Sequence, residues 1–251
     1  MAGAGFFKDL FSGHAADYAK YRPVYPAELY SYLSGLVKNH DLVLDCGTGN
    51  GQAAQQLASH FKAVLATDPS PEQIGKASPH PRIQYQVAAA EKMPLPDHSA
   101  DMITVAQALH WFKIDLFGQE CKRVLRPGGV VAAWGYDLAE VSPAVDHVVQ
   151  RMHDDVLGAY WEPERRLIAM HYKTLELPFT ALPSPHITMR AEWSLEDLKG
   201  YLKTWSSVRS YLKKNTDVRA LENSVLELSR AWGDVKTRIV SWPLFFRLWR
   251  V

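Results

Sequence analysis

The stretch Leu42-Val43-Leu44-Asp45-Cys46-Gly47-Thr48-Gly49-Asn50-Gly51 constrains this chain more than any other. Apolar residues lead into an acid and then into alternating glycines. The pattern predicts a buried strand that ends in a tight loop and turns into a helix over Gln52 to Phe61. Glycine permits positive φ and lets a ligand come close to the backbone. The free N–H groups of the helix start would face the same ligand. A dinucleotide fingerprint needs G-x-G-x-x-G, but here the third glycine falls one place early and Gln52 stands where it should be. A phosphate loop needs Gly-Lys-Ser/Thr, which is absent. An acid at the strand end, aimed into the ligand site, suits a ligand without phosphates and with positive charge.

The residues that follow repeat the strand-then-helix rhythm. Ala63 to Asp68 reads as a second strand that also ends in an acid, near the position of a ribose-binding carboxylate. Ser70 can cap the next helix, with Pro71 at its first position and Gln73 at its third. Ile83 to Ala88 is a third strand, Asp101 to Ala106 a fourth and Val130 to Trp134 a fifth. Lys113 to Arg126 is predicted as an amphipathic helix with Leu116, Phe117, Val124 and Leu125 inward, followed by a turn at Arg126-Pro127-Gly128-Gly129. Such alternation argues for an α/β fold with a doubly wound parallel sheet. In such a sheet the ligand lies beyond the carboxyl ends of the strands, where Gly47, Asp68, Glu91 and Gln107 all fall.

Outside this core, residues 1–39 are expected to form a helical flap. His14 to Tyr21 reads as a helix, broken at Arg22-Pro23, and a second helix starts at Pro26 with Leu29, Leu33, Leu36 and Val37 on its apolar face. Residues 137–251 are expected to form a helical cap and closing strands. One helix runs from Ser142 to about Tyr160. Another opens at Ser194 with near capping-box chemistry and the stripe Leu195, Leu198, Leu202, Trp205, Val208 and Leu212. A further helix covers Val218 to Ala231, and His186 to Trp193 alternates like a strand. The whole is read as a single domain with residues 40–136 as its cofactor-binding core.

Composition removes several function classes. A formal net charge of +1 supplies no field to recruit nucleic acid or an anionic membrane. The two cysteines, Cys46 and Cys121, make neither a disulfide framework nor a zinc site, and the ten histidines lack ligand spacing. No metal is expected. No secretory leader or apolar run of membrane length is evident, so a cytoplasmic location and no membrane partner are expected.

These landmarks resemble the class I S-adenosylmethionine-dependent methyltransferases, and among them the trans-aconitate methyltransferase-like small-molecule group. The residues that carry the likeness are Tyr21-Arg22-Pro23 with Tyr25-Pro26, the 44–51 loop, Thr67-Asp68-Pro69-Ser70, Ala90-Glu91-Lys92-Met93-Pro94, Gln107-Ala108-Leu109-His110-Trp111 and Arg123 to Gly129. Thr204-Trp205-Ser206-Ser207 and Trp242-Pro243 also look like that group. The resemblance implies a Rossmann-like seven-stranded sheet whose last strand is antiparallel. It implies S-adenosylmethionine as cofactor, held by Tyr18, Arg22, Asp45, Gly47, Thr48, Gly49, Asp68, Pro69, Ala90, Glu91 and Gln107. Where such enzymes often carry an Asp beside the adenine amino group, this chain has Ala89, which leaves adenine to the backbone at Ala90 and Glu91 and to the Glu91 carboxylate.

A sulfonium donor is already activated, so a protein mostly supplies position and dryness, and a base only if the acceptor must lose a proton. His110 is the candidate catalytic residue, as a base or as a group that shapes the pocket and binds the acceptor, with Trp111 and Trp205 as candidate acceptor walls. The expected reaction is methyl transfer to a small molecule, on oxygen of a carboxylate or hydroxyl, by a monomer or weak dimer. The alternatives are a non-catalytic cofactor-binding protein and a methyltransferase acting on protein or nucleic acid. The Asn/Asp-Pro-Pro-Tyr/Phe signature of base-amino methylation is missing after the fourth strand.

Overall fold

Runs of apolar residues become the central strands of a mostly parallel sheet in the computed structural model, which describes residues 21–251. In chain order the strands are β1 (Leu42–Cys46), β2 (Ala63–Asp68), β3 (Ile83–Val87), β4 (Ala100–Ala106), β5 (Leu125–Tyr136), β6 (Thr180–Ala181), β7 (Thr188–Trp193) and β8 (Arg238–Arg250). The sheet order is β3-β2-β1-β4-β5-β8-β6, and β7 pairs with β8 off this path. The first five strands pair in parallel, while β8 runs antiparallel to both β5 and β6. The seven strands on the path match the expected sheet with its antiparallel closing strand. β7 is an eighth.

The helices, in the same order, are α1 (Ala27–Gly35), α2 (Gln52–Leu57), α3 (Pro71–Gly75), α4 (Ile114–Val124), α5 (Pro143–Arg151), α6 (Arg166–Ala169), α7 (Leu195–Lys203), α8 (Ser206–Lys214) and α9 (Arg219–Trp232). The Ser70 side chain accepts the Gln73 N–H and caps α3, as its sequence suggests. The helix predicted over His14 to Tyr21 lies outside the described residues, apart from Tyr21.

Two compact units emerge, and neither is continuous in sequence. The sheet unit comprises Tyr25–Asp137, Glu164–Ile187 and Pro243–Val251. Its core joins Leu44, Ile103, Val105, Val131 and Ala133 of the strands to Phe117, Cys121 and Val124 of α4 and to Tyr172, Leu177, Phe245 and Trp249. Both cysteines are buried and free. Leu116, predicted to face inward, is exposed, because the apolar stripe of α4 is centred on Phe117, Cys121 and Val124.

The predicted turn at residues 126–129 is an excursion within β5. Leu125 pairs with Ala100 and the next pair is Val130 with Met102. The excursion lets Arg126 reach Asp101 at 2.5 Å and Asp41 at 3.1 Å. The other Asp101 oxygen accepts the N–H groups of Asp41 and Leu42 at 2.8 and 2.9 Å, so a single buried carboxylate ties the starts of β1, β4 and β5 together.

The helical unit comprises Leu138–Pro163 and Thr188–Trp242 with the described residues up to Val24. α5 gives way to a π turn over Met152–Val156 instead of running to Tyr160 as one helix. The long helix predicted from Ser194 opens with a complete capping box but breaks into α7 and α8. At the break the Thr204 hydroxyl donates to the Tyr201 carbonyl at 2.6 Å, and Trp205 takes an extended backbone. The stripe survives the break, since Leu198, Leu202, Trp205 and Val208 are all buried.

Candidate active site

The glycine loop begins where β1 leaves the sheet centre. Gly47, Gly49 and Gly51 have φ of 70°, 57° and 87°, so all three adopt a conformation that other residues reach only with strain. Their surroundings differ. A Cβ on Gly47 would lie 2.6 Å from that of Ala108, and one on Gly51 would lie 2.5 Å from the Tyr85 hydroxyl oxygen, whereas nothing stands within 4 Å of one on Gly49. Gly49 is therefore the point where the backbone is bare toward open space. The Thr48 N–H donates to the Thr67 carbonyl at 2.9 Å and fastens the loop to β2.

Asp45 is not presented to a ligand, contrary to the expectation from sequence. Its carboxylate is fully buried and accepts the Thr48 hydroxyl at 2.5 Å and the Thr104 hydroxyl at 2.8 Å. Burial raises its pKa to about 6, against the lowering effect of those two hydrogen bonds. Asp45 shapes the loop from beneath. The acid that faces outward is Asp68, which is partly exposed at the end of β2. One Asp68 oxygen accepts the Gly49 N–H and the other the Ser70 N–H, each at 2.9 Å. Pro69 beside it is exposed, and Ala90 beyond β3 is buried. The Glu91 carboxylate accepts the Lys113 N–H at 2.8 Å, which anchors the start of α4. The loop after Glu91 is pinned from α4, where Arg123 donates to the carbonyls of Met93 and Leu95 and Glu120 accepts the Met93 N–H.

Beyond β4 the backbone is strained. Gln107 has φ 55°, left-handed for a residue with a side chain, and its buried Oε1 has no hydrogen-bond partner. His110 is 4% exposed on a short 3-10 turn. Its Nδ1 lies 3.0 Å from the Tyr172 hydroxyl, and its Nε2 is buried without a partner. Desolvation, aided by the Arg165 charge, lowers its pKa to about 4. Trp111, next to it, is 53% exposed, and its ring lies 4.7 Å from the His110 ring, tilted by 44°. Tyr25 meets Trp134 and Tyr136 edge-on at 5.6 and 6.4 Å, so the segment before α1 lies at the carboxyl end of β5.

Three predicted site residues lie in the helical unit or outside the described residues. Tyr18 lies outside the described residues. Arg22 donates to the Thr204 carbonyl at 3.4 Å and lies over the Tyr201 ring. Trp205 is not a pocket wall. It is 4% exposed and packs on Trp161, His153 and Tyr201 as part of the core of its unit.

Tyr172 carries no signal in the sequence. It sits 62 residues from His110, at the end of a stretch, Glu162 to Lys173, whose sequence reads as continuing helix but which is α-helical only over Arg166–Ala169, and only the fold joins the two. Among the described residues no group of three or more His, Cys, Asp or Glu side chains is placed to hold a metal ion. No helix among them is long and apolar enough to cross a membrane.

The site has the form of a nucleoside-binding rim. A bare glycine backbone at Gly49, an acid at the end of β2 and an unpartnered amide oxygen at Gln107 all sit at strand ends of one sheet. Residues 44–133 match the family described as "Methyltransferase domain". A protein of Dictyostelium discoideum named as a methyltransferase is 35% identical over 249 residues, covering 96% of this chain and 95% of that one. A solved structure from Anaeromyxobacter dehalogenans, described as a type II methyltransferase, superposes with a TM-score of 0.85 at 40% identity over 91% of this chain and 97% of that one. A Bacillus halodurans structure at 17% identity and TM-score 0.51 shares the fold, over 89% of this chain and 97% of that one. The chain belongs to the class I S-adenosylmethionine-dependent methyltransferases, and S-adenosylmethionine is its cofactor. The residues present fit that ligand, because Gly49 is open, Asp68 offers a carboxylate to hydroxyl groups and no phosphate-binding lysine is needed.

Proposed function

We propose that this methyltransferase acts on a small molecule and transfers the methyl group to oxygen of a carboxylate or hydroxyl, in line with its resemblance to the trans-aconitate methyltransferase-like group. The observation that carries the reading is His110 Nε2 beyond β4, which is buried and unpartnered beside the apolar cluster of Ala108, Leu109 and Tyr172. Groups of this kind are costly unless a ligand uses them. When bound, the cofactor supplies an activated methyl on a sulfonium. The chain then has to orient and dry the acceptor, a task suited to a neutral His110 and the flanking Trp111. On this reading Gly47, Thr48 and Gly49 face the cofactor backbone, Asp68 and Pro69 its ribose, Ala90 and Glu91 its adenine, and Gln107 its amino-acid end. The net charge of +1 favours a small acceptor over nucleic acid.

The test is calorimetric titration with S-adenosylmethionine and S-adenosylhomocysteine, followed by a labelled-methyl screen over pooled small carboxylic acids and alcohols. Asp68→Ala should weaken cofactor binding by about 1.5–3 kcal/mol, the scale of lost charge-assisted hydrogen bonds. Unchanged affinity in Asp68→Ala would remove Asp68 from the ribose role. Labelling of protein or RNA pools, with none of the small molecules labelled, would overturn the acceptor class.

A further inference from the structure

Tyr172 is fully buried, and the Nδ1 of His110 at 3.0 Å is the hydrogen-bond partner of its hydroxyl. Two arrangements of protons are open to this pair. If Nδ1 carried the imidazole proton and donated it, the tyrosine proton would have no acceptor and Nε2 would be a second orphan. If the tyrosine donates to Nδ1, the imidazole proton sits on Nε2 and only that one N–H lacks a partner. The second arrangement leaves one unsatisfied buried group in place of two.

We propose that His110 serves as a neutral Nε2–H donor toward the methyl acceptor, and that Tyr172 is the positioning residue that fixes this tautomer. The donor role rests on the acceptor-site reading given above, whereas the tautomer does not. Burial and the nearby Arg165 charge keep the ring uncharged around neutral pH. The backbone supports the arrangement independently. His171 and Tyr172 are consecutive left-handed residues with side chains, at φ 50° and 54°. Such strain gathers at functional positions and persists only where the surroundings enforce it. Here His171 Nε2 lies 2.8 Å from Asp137 Oδ1 and its ring stacks at 4.6 Å on Phe245, while Phe245 meets Tyr172 edge-on at 5.3 Å. The pair of strained residues is thereby clamped from both sides, and the phenol is aimed at Nδ1. A ring nitrogen that already bears a proton cannot remove one, so His110 is not a base and orients the lone pair of a carboxylate oxygen, an acceptor with no proton to lose.

The experiment is a long-range proton–nitrogen NMR spectrum of the whole protein with nitrogen-15-labelled histidine. The His110 signals are assigned by their loss in His110→Gln or, should that variant not fold, by ring contacts to Trp111 and Tyr172. The expected wild-type pattern is a protonated Nε2 and a bare Nδ1, held from about pH 6 to 8. Tyr172→Phe keeps the ring and removes the donor, so it should give mixed tautomers. It should also lower kcat/KM for the acceptor about tenfold while leaving cofactor affinity within about twofold. A proton on Nδ1 in the wild type, or an unchanged tautomer in Tyr172→Phe, would overturn the proposal. If Tyr172→Phe does not fold, the wild-type spectrum alone decides. Failure to bind S-adenosylmethionine would strike the functional reading and leave the tautomer result standing.

Discussion

Asp45→Asn should make the protein less sensitive to pH, and the size of the effect follows from where Asp45 sits. The carboxyl is fully buried, and burial lifts its pKa from 3.8 to about 6 in the folded chain. A group whose folded pKa is raised binds its proton more tightly in the folded state, so this acid costs stability as pH rises. The cost is absent below the unfolded pKa and complete above the folded one. The interval from 3.8 to about 6, at about 1.4 kcal/mol per pH unit, corresponds to about 3 kcal/mol. Asparagine has the same shape and no charge. The hydroxyls of Thr48 and Thr104, which now donate to the carboxylate, can each turn to donate or accept. Thermal unfolding of wild type and variant across the range from about pH 4 to pH 8 is the assay. About 0.6 kcal/mol of that cost is already present at pH 4, so the Tm difference, variant minus wild type, should grow by about 5–10 °C between those limits for a chain of this size. Comparing the change with pH cancels any fixed cost of the substitution. A Tm difference that stays constant across the range would refute the claim that a buried charge lies under the loop.

Two further substitutions probe the loop and the helical unit. Gly51→Ala forces a side chain to φ 87° and into the Tyr85 hydroxyl, while Gly49→Ala meets strain at φ 57° but open space. Denaturation should therefore show Gly51→Ala losing more than the roughly 1–2 kcal/mol expected of Gly49→Ala, and equal losses would contradict the packing described. Ser194→Ala removes the capping box of α7 and should cost about 1 kcal/mol, read as a fall in Tm of about 2–4 °C. No change in Tm would show that the cap is redundant.

The sheet was legible because its signals are local. Ala63 to Ala66 is an apolar run that closes on Thr67 and an acid, and β2 has the bounds Ala63–Asp68. Ser70, Pro71 and Gln73 spell a helix start from adjacent residues alone, and the structure uses all three. The features missed are ones in which distant residues settle the outcome. The acid at position 45 points inward because Thr104, 59 residues on, offers it a hydroxyl. Trp205 reads as a pocket wall until its neighbours Trp161 and His153 arrive from another segment and bury it. The α7–α8 break leaves the helical period intact, so no count of apolar spacing could show it. Tyr172 belongs to the same group of features, since only the fold brings it to His110, 62 residues away.

The carboxylates of the rim have a consequence for how a ligand is met. Asp68 grips the Gly49 and Ser70 amides, and Glu91 grips the Lys113 amide. Each acid thus staples a neighbouring loop with a charge-assisted bond. Loops ordered in advance lose little freedom when a ligand arrives, and that lost freedom is a large part of what opposes binding. A nucleoside reaching this rim encounters a frame already set rather than chains to be gathered. The same stiffness sets a limit. On the proposed assignment, ribose hydroxyls that approach Asp68 would share its oxygens with backbone amides, so a ligand that drew the carboxylate fully to itself would loosen the glycine loop.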